Sequence, residues 1–379
     1  MPNQRTRLSE ERVSLRHLCL QGACCCMAWL ATACSQSPPV GGEEPPAEPA
    51  IQWNPEWYVA YRSASPIVID GALREEGWSS ALWTAHFVDI EGAARPVPRF
   101  RTRAKMLWDD TYLYVAAELE EPDVWATLTE RDAVIYHDND FEIFIDPDGD
   151  THEYYELEIN ALGTEWDLLL VRPYRDGGPA IDSWDIRGLE TAVFVDGTVN
   201  DPADRDSGWT VEIALPWSVL EEAARRPAPP ADGDQWRVNF SRVQWRVEVS
   251  DGKYFKLDDN PPGRTRPEDN WVWSPQGLIN MHYPEMWGIV QFSSRVVGQG
   301  ADAVSVVTAV DRAKWELRRV YYRQQSWFSR HRSYTKDLTD LGLRPGPWGI
   351  QLEATGNLFE ASLILEGRKI RIRQDGRVW

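Results

Sequence analysis

Cysteine is confined to one end of this chain. All five cysteines among the 379 residues lie in the first 34 positions, and residues 35–379 contain none. That long remainder can form no disulfide and offers no thiolate to a metal ion. Histidine is also scarce, with six in the chain, and no two histidines have the i, i+4 spacing of a helical zinc site. The sequence therefore argues against a zinc protein.

Positive charge is in deficit as well. Lys and Arg total 40 against 59 Asp and Glu, which gives a formal net charge of −19. Proteins that bind nucleic acid or anionic lipid need basic patches, so both kinds of partner are disfavoured. The sequence after residue 34 also lacks a Gly-x-Ser-x-Gly elbow, a phosphate-binding loop and a dinucleotide fingerprint. We therefore expect a binding protein and not an enzyme.

The first 34 residues have the pattern of an export signal. Four arginines occur before residue 17, and a mostly apolar run follows from Leu18 to Ala33. That run has the length of a signal-peptide core and is short for a membrane-spanning helix. The sequence Leu30-Ala31-Thr32-Ala33-Cys34 resembles a bacterial lipobox, which implies cleavage before Cys34 and acylation of its thiol. A plain secretory signal is the alternative interpretation.

The rest of the chain divides by composition. Residues 35–50 are rich in Pro, Gly and Glu and are typical of a flexible tether. The net charge of residues 51–300 is more negative than that of the whole chain, whereas the net charge of residues 301–379 is positive. This change of sign predicts a boundary between a large acidic domain and a small basic one. We expect an exported outer-membrane, cell-surface or periplasmic lipoprotein that meets the membrane only through its lipid anchor.

Residues 51–300 have the pattern of β-strands. The runs 104–108 and 112–116 flank an Asp-Asp-Thr turn, and the run 141–145, apolar except for Glu142, leads into the turn at 146–150. Helical signals are sparse, and strands do not alternate with helices. The pattern favours a mainly β fold, an antiparallel β-sandwich of immunoglobulin-like or jelly-roll-like type.

Residues 301–379 have a different pattern. An uninterrupted stretch from Ala301 to about Arg330 places apolar residues on one helical face, and strand-like runs follow at 351–354, 359–365 and 369–373. We expect a small α+β unit in which one long helix covers an antiparallel sheet of hairpins. Residues 318–343 resemble the globular part of type IV pilin-like units, which implies a protein partner for this unit.

Aromatic residues give the main functional signal. The chain contains 20 Trp, most of which should fill the interior of a sandwich. A smaller set of aromatic residues stands among polar turn residues, at Tyr136, Trp166, Tyr174 and Trp273. Sugars present apolar C–H faces beside hydroxyl groups, so flat rings next to carboxylate, amide and guanidinium groups suit a sugar site. These clusters predict carbohydrate binding.

Carboxylates on neighbouring predicted strands supply polar groups for such a site. Glu156 and Glu158 are two residues apart on one strand and should share a face with Asn160, and Glu142 lies on the strand before. Two of these carboxylates at the right separation would suit a glycosidase. A face that binds sugar hydroxyls is the interpretation that the sequence favours.

Several motifs in order then resemble the family 9 carbohydrate-binding modules. The resemblance covers about residues 60 to 293. Its motifs are Pro66–Gly71 with Trp78, Leu107–Asp110 with Tyr112–Tyr114, Asp140–Asp146, Trp209–Ala214 and Trp287–Gly288. This resemblance implies a β-sandwich of the wider DOMON-like group, no catalysis and, in many members, bound calcium.

The resemblance also implies site residues. The Glu that bonds sugar hydroxyls falls on Glu142, and the first of two clamping tryptophans falls on Tyr136. The second clamp falls near Met281 and His282, where no Trp stands, and an Arg of the family falls on Glu158. The neighbouring Asn matches Asn160. Four further residues are nominated by their chemistry and predicted loop position: Trp166, Tyr174, Arg175 and Trp273.

Two other ligands and a third function remain as alternatives. Asp146, Asp148 and Asp150 place hard oxygens at alternate positions around a Gly, which suits calcium or a simple Asp-Gly turn. A haem-binding DOMON-like module would take Met281 or His282 with His137 or His152 as axial ligands. A periplasmic scaffold without a ligand is the third interpretation. The first expectation is a lipid-anchored protein that captures oligo- or polysaccharide.

Overall fold

The computed structural model describes residues 45–258, 263–300, 303–304 and 306–379. Cys34, the predicted export signal and residues 35–44 of the predicted tether lie outside these ranges. Within the described ranges, no helix combines the length and the apolar character that crossing a bilayer requires.

Eighteen strands and three α-helices form from the described residues. The strands are β1 (Trp57–Arg62), β2 (Val88–Asp89), β3 (Thr102–Trp108), β4 (Tyr112–Glu120), β5 (Asp140–Asp146), β6 (Tyr154–Asn160), β7 (Glu165–Leu170), β8 (Ala180–Ile181), β9 (Glu190–Asp196), β10 (Gly208–Pro216), β11 (Gln235–Gln244), β12 (Val247–Ser250), β13 (Lys253–Lys256), β14 (Asp269–Val272), β15 (Gly288–Val296), β16 (Gln351–Ala354), β17 (Phe359–Leu365) and β18 (Arg368–Arg373). The helices are α1 (Glu76–Ser80), α2 (Trp217–Leu220) and α3 (Ala309–His331).

Thirteen of these strands belong to one sheet. Its main path runs β8–β7–β6–β5–β11–β15–β1–β3–β4–β10–β9, and β14 pairs with both β11 and β2. Strand β1 runs parallel to its two neighbours, β15 and β3. The other pairings found in this sheet are antiparallel.

The two halves of this sheet share one core. Phe141, Ile143 and Ile145 on β5 belong to the same buried cluster as Val115 on β4 and Trp209 on β10. Alternation sends every second residue of a strand to that core, which is why apolar residues recur with a period of two. The predicted mainly β, sandwich-type fold is confirmed. The prediction of antiparallel strands did not include the parallel pairing of β1.

The C-terminal residues form the predicted small α+β unit. Strands β16, β17 and β18 make a separate antiparallel sheet, and α3 packs on it through Leu317, Val320 and Tyr321. The helix begins at Ala309 and not at Ala301, because Thr308 caps it in a capping box with Asp311.

Side-chain contacts join the two sides of the predicted boundary near residue 300. Arg237 on β11 forms an ion pair of 3.0 Å with Asp311 on α3, and Arg318 Nη2 donates to Thr151 Oγ1 at 2.9 Å. The domain boundary and the pilin-like character of the C-terminal unit both stay predictions.

Candidate functional site

Strands β5 and β6 carry acidic residues on the face that points away from the shared core. Asp140 and Glu142 alternate with the core residues of β5, and Glu156 and Glu158 alternate with those of β6. The antiparallel register sets Glu142 beside Glu158. We call these four residues the acidic floor. Two more side chains extend the row across the sheet, because Ser241 on β11 pairs with Glu142 and Trp166 on β7 pairs with Glu158.

The acidic floor is buried. None of its four residues is more than 6% exposed, and no ion pair joins any of them to a Lys, Arg or His among the described residues. Arg242 interacts electrostatically with Asp140 but is itself paired with Glu121. Burial raises the pKa of Glu142 to about 7. It also raises the pKa of Asp140, Glu156 and Glu158, and neighbouring carboxylates raise all three further.

Few hydrogen-bond donors contact the carboxylate oxygens of the acidic floor. Tyr136 N donates to Glu158 Oε2 at 2.8 Å, and Val243 N donates to Asp140 Oδ1 at 3.0 Å. Ser241 also hydrogen-bonds the Glu142 carboxyl, whereas two other buried oxygens have no hydrogen-bond partner, Asp140 Oδ2 and Glu156 Oε2. Carboxylate oxygens of Asp140, Glu142 and Glu158 all lie within 4.8 Å of one another. The floor therefore combines closely spaced carboxyl groups with unused acceptors.

Two partly exposed tyrosines stand beside the acidic floor. Tyr136, on the 3-10 turn Ile135–His137, is 38% exposed, and Tyr174, on the 3-10 turn Tyr174–Asp176, is 48% exposed. Burial and then Glu158 raise the pKa of Tyr136, whereas burial and then Glu156 raise that of Tyr174 to about 12. Both phenols thus interact with the same pair of strand β6 carboxylates.

Each tyrosine is held in place by its own contacts. Trp245 Nε1 donates to the carbonyl of Tyr136 at 2.9 Å, which adds to the bond from Tyr136 N to Glu158. The ring of Tyr174 meets the ring of His282 edge-on, with centroids 4.5 Å apart. His282 is fixed in turn by a 2.9 Å bond between its Nδ1 and Tyr154 Oη. The aromatic walls are therefore positioned by the fold.

The second clamp position differs from the expectation. Met281 and His282 are half-buried, and Met281 packs against the cluster of Phe144, Tyr154 and Trp287 beside the acidic floor. Burial lowers the pKa of His282 to about 3, so its ring is neutral. Tyr174 presents the exposed ring on this side, and Trp166 is half-buried against the same cluster.

Trp273 and Asn160, both predicted to bind the ligand, make their contacts within the protein. Trp273 is 2% exposed and lies in the shared core, with its ring 5.7 Å from that of Phe240. The Asn160 amide donates to Leu128 O and Asp138 Oδ2, and its oxygen accepts from the backbone N–H groups of Leu162 and Thr164. This amide has no donor or acceptor left for a ligand.

Arg175, also predicted to bind the ligand, uses its guanidinium for contacts within the protein. Its Nη2 donates to Glu285 Oε2 at 2.8 Å, its Nη1 donates to the His282 carbonyl at 3.2 Å, and it lies 4.0 Å over the ring of Tyr283. The side chain is 6% exposed. Arg175 thus anchors the segment that carries Met281 and His282.

The Asp146–Asp150 turn is already paired with cationic side chains. Arg225 bonds Asp148 at 2.6 Å and Asp150 at 2.8 Å, and Arg377 bonds Asp150 at 2.7 Å. Both oxygens of Asp146 accept backbone N–H groups, and Lys314 donates to the carbonyl of Gly149. These contacts suit the alternative, an Asp-Gly turn, and calcium at this turn stays a prediction. His152 is buried in this turn, whereas His137 is exposed beside Tyr136.

Sequence reasoning missed Asp140 and Ser241. Asp140 is two residues before Glu142, so strand parity alone was a sufficient signal for it. Ser241 reaches the floor only because β11 pairs with β5, and a pairing across about a hundred residues leaves no signal in a single sequence.

Known proteins resemble the central part of the chain. Residues 69–232 match the family model described as carbohydrate family 9 binding domain-like. The match covers less than half of the chain, and we call residues 69–232 the family 9-like segment. The family 9-like segment contains the acidic floor, Tyr136 and Tyr174, whereas Ser241 and His282 lie beyond it.

Individual relatives match over short stretches. Exoglucanase XynX of Acetivibrio thermocellus is 29% identical over 117 residues, which is 31% of this chain and 9% of that protein. Endo-1,4-beta-xylanase A of Thermoanaerobacterium saccharolyticum is 28% identical over 116 residues, 31% of this chain and 8% of that protein. The chain thus spans less than a tenth of these curated relatives.

A solved structure is similar over a longer stretch at lower identity. It is a family 9 carbohydrate-binding module from Caldicellulosiruptor kristjanssonii in complex with cellotriose. The two chains are 17% identical with a TM-score of 0.40, over 66% of this chain and 100% of the other.

Proposed function

We propose that this protein binds carbohydrate at the acidic floor, between Tyr136 and Tyr174, without catalysing a reaction. We further propose that it is exported and anchored by a lipid on Cys34, so that it captures oligo- or polysaccharide at a bacterial cell surface.

The observation that carries the proposal is the pair of exposed tyrosines beside one set of carboxylates within the family 9-like segment. An aromatic ring covers the C–H face of a sugar, and a carboxylate oxygen accepts from its hydroxyl groups. Glu156 Oε2 is a buried acceptor without a partner, next to Tyr174. The combination suits a neutral ligand that is apolar on one face and rich in hydroxyl donors.

The buried state of the carboxylates supports binding over hydrolysis. A glycosidase places its two carboxyl groups on either side of a bound substrate. In this protein Glu142 and Glu158 are neighbours on one surface and at most 5% exposed. The relatives with enzymatic names match this chain over less than a tenth of their own length, so their activities are not assigned to it.

Glycan binding by single-site variants tests the site. We expect the wild-type protein to bind β-linked glucan or xylan oligosaccharides in calorimetric titrations, and Tyr136→Ala and Tyr174→Ala each to weaken binding by about tenfold, which corresponds to about 1.4 kcal/mol of lost stacking. Phe194→Ala is the matched control, because Phe194 is 43% exposed on β9 at the opposite edge of the sheet. Equal affinity of all four proteins would contradict the proposed site, and no binding to a broad glycan panel would contradict the function.

Lipid labelling tests the proposed anchor. Cells fed a labelled fatty acid should incorporate it into the wild-type protein and not into Cys34→Ala. Equal labelling of the two proteins would remove the lipid anchor from the proposal and leave glycan binding untouched.

A further inference from the structure

A cavity of about 510 Å³ lies where the large sheet meets the C-terminal α+β unit. The starts of β11 and β15 line it on one side, and the start of α3 lines it on the other together with Arg368 of β18. Its volume falls within the range of about 300 to 1,000 Å³ that small-molecule sites have, and such sites are frequent at the junctions between structural units. Neither the acidic floor nor Tyr136 or Tyr174 lines this junction cavity.

The wall of the junction cavity is cationic. Asp and Glu outnumber Lys and Arg by 59 to 40 in the whole chain, but this wall carries more cationic than anionic side chains. The cationic ones are Arg225, Arg226, Arg237, Lys314 and Arg368, and the anionic ones are Asp148, Asp234 and Asp311. An anionic ligand is therefore attracted to this wall, although the protein as a whole repels it.

Two of these cations have no carboxylate partner. Each of the three carboxylates pairs with one of the arginines, which holds three guanidinium groups at the wall. Lys314 forms no ion pair with any described residue, and its ammonium donates to the carbonyl of Gly149 at 2.6 Å. Arg368 is exposed, and its guanidinium forms neither an ion pair nor a hydrogen bond within the described part of the chain. The wall thus keeps a net positive charge.

Apolar surface adjoins these charges. Three prolines line the cavity, Pro147, Pro227 and Pro230, and so do Val306 and Val310, which are 58% and 40% exposed. Covering such side chains with a ligand removes apolar area from water, which is favourable by about 25 cal/mol per Å². A ligand with both anionic groups and C–H surface would contact both parts of the wall.

We propose that the junction cavity is a second binding site, for a saccharide that carries carboxylate groups, such as an oligomer of a uronic acid. A guanidinium donates two parallel hydrogen bonds to one carboxylate, and the C–H groups of a sugar ring suit the proline and valine surface. That the ligand is a saccharide rests on the proposed function, whereas its negative charge rests on the cavity alone. The C-terminal unit completes this site, because α3 and Arg368 supply one of its walls.

Calorimetric titration of the full chain with trigalacturonate tests the site. We expect the wild type to bind it, and added salt to weaken binding. Arg368→Gln should weaken binding roughly tenfold through loss of a charge-assisted hydrogen bond. Its melting temperature should equal that of the wild type, since Arg368 has no partner to lose. Val310→Asp places a carboxylate in the wall without removing a polar contact and should also weaken binding roughly tenfold.

Lys369→Gln is the matched control. It removes the same charge one residue further along, from a side chain that pairs with Glu360 and does not line the cavity, so we expect wild-type affinity for trigalacturonate. No binding of trigalacturonate by the wild type, or equal affinities of Arg368→Gln and Lys369→Gln, would overturn the proposal. Binding of inorganic sulfate as tight as that of trigalacturonate would overturn the assignment to a saccharide.

Tyr136→Ala separates this site from the proposed one. We expect this variant to bind trigalacturonate like the wild type, because Tyr136 does not line the junction cavity. Loss of trigalacturonate binding in Tyr136→Ala would place the acidic glycan between the tyrosines and overturn the second site. Failure of neutral glucan oligosaccharides to bind, with trigalacturonate still bound, would contradict the proposed function and support the junction cavity.

Discussion

Replacing Arg175 by Met should destabilise the protein by about 3 kcal/mol. Arg175 is 6% exposed and bonds both Glu285 and the carbonyl of His282. Removing one partner of a buried ion pair leaves the other charge uncompensated, which typically costs about 3 to 5 kcal/mol. The lower end applies here, because Arg318 lies 3.6 Å from Glu285 and Tyr322 donates a hydrogen bond to it.

Urea denaturation of the purified variants measures this loss. Lys369→Met is the control, because Lys369 and Glu360 form an exposed pair that should contribute no more than about 1 kcal/mol. The double variant Arg175→Met, Glu285→Met should recover part of the loss, since the Glu285 carboxylate that Arg175 neutralises is then removed as well. A loss for Arg175→Met as small as that for Lys369→Met would refute the reasoning that this ion pair holds the His282 segment.

Two further predictions concern acid stability and a close contact in the core. Although burial opposes it, Arg175 and Arg318 hold the pKa of Glu285 at about 2, below its ordinary value of 4.5. The unfolded chain therefore takes up this proton first, and the stability advantage of the wild type over Glu285→Gln, measured by urea denaturation at several pH values, should be complete above about pH 4.5 and fall as the pH drops towards 2. An advantage that does not change with pH would contradict this assignment. Gly288→Ala should cost about 3 kcal/mol, because its Cβ would lie 2.4 Å from the ring of Trp273. Gly356→Ala is the control and should cost less than about 1 kcal/mol, because no atom lies within 4 Å of the added Cβ. Equal melting temperatures for the two variants would contradict the predicted clash with Trp273.

Local pattern was enough to predict the strands that border the site. The strand predicted for 141–145 lies within β5, where Phe141 and Ile143 are in the core and Glu142 is on the opposite face. The predicted runs 351–354 and 359–365 coincide with β16 and β17. These features depend on period and turn residues, which one sequence contains.

Features that depend on distant partners could not be predicted in this way. The chemistry and predicted loop position of Arg175 suggest a ligand-binding role, but Glu285, 110 residues further along the chain, accepts a hydrogen bond from its guanidinium. Trp273 follows a polar turn in the sequence, yet Gly288 leaves the space that its ring fills in the core. In each case the partner comes from a strand or loop whose position only the folded sheet defines.

The parallel pairing of β1 with β15 has a consequence for the order in which the strands of the large sheet can pair. Residues 57–62 form six register pairs with β15 but only two with β3. The main partner of the first strand is thus made more than 220 residues after it. A chain that emerges with its N-terminus first must leave β1 without that partner until β15 has followed, because non-local pairing waits for loop closure. The earliest strand of the sheet therefore gains its main partner only when β15 has formed, so residues 57–62 are fixed late.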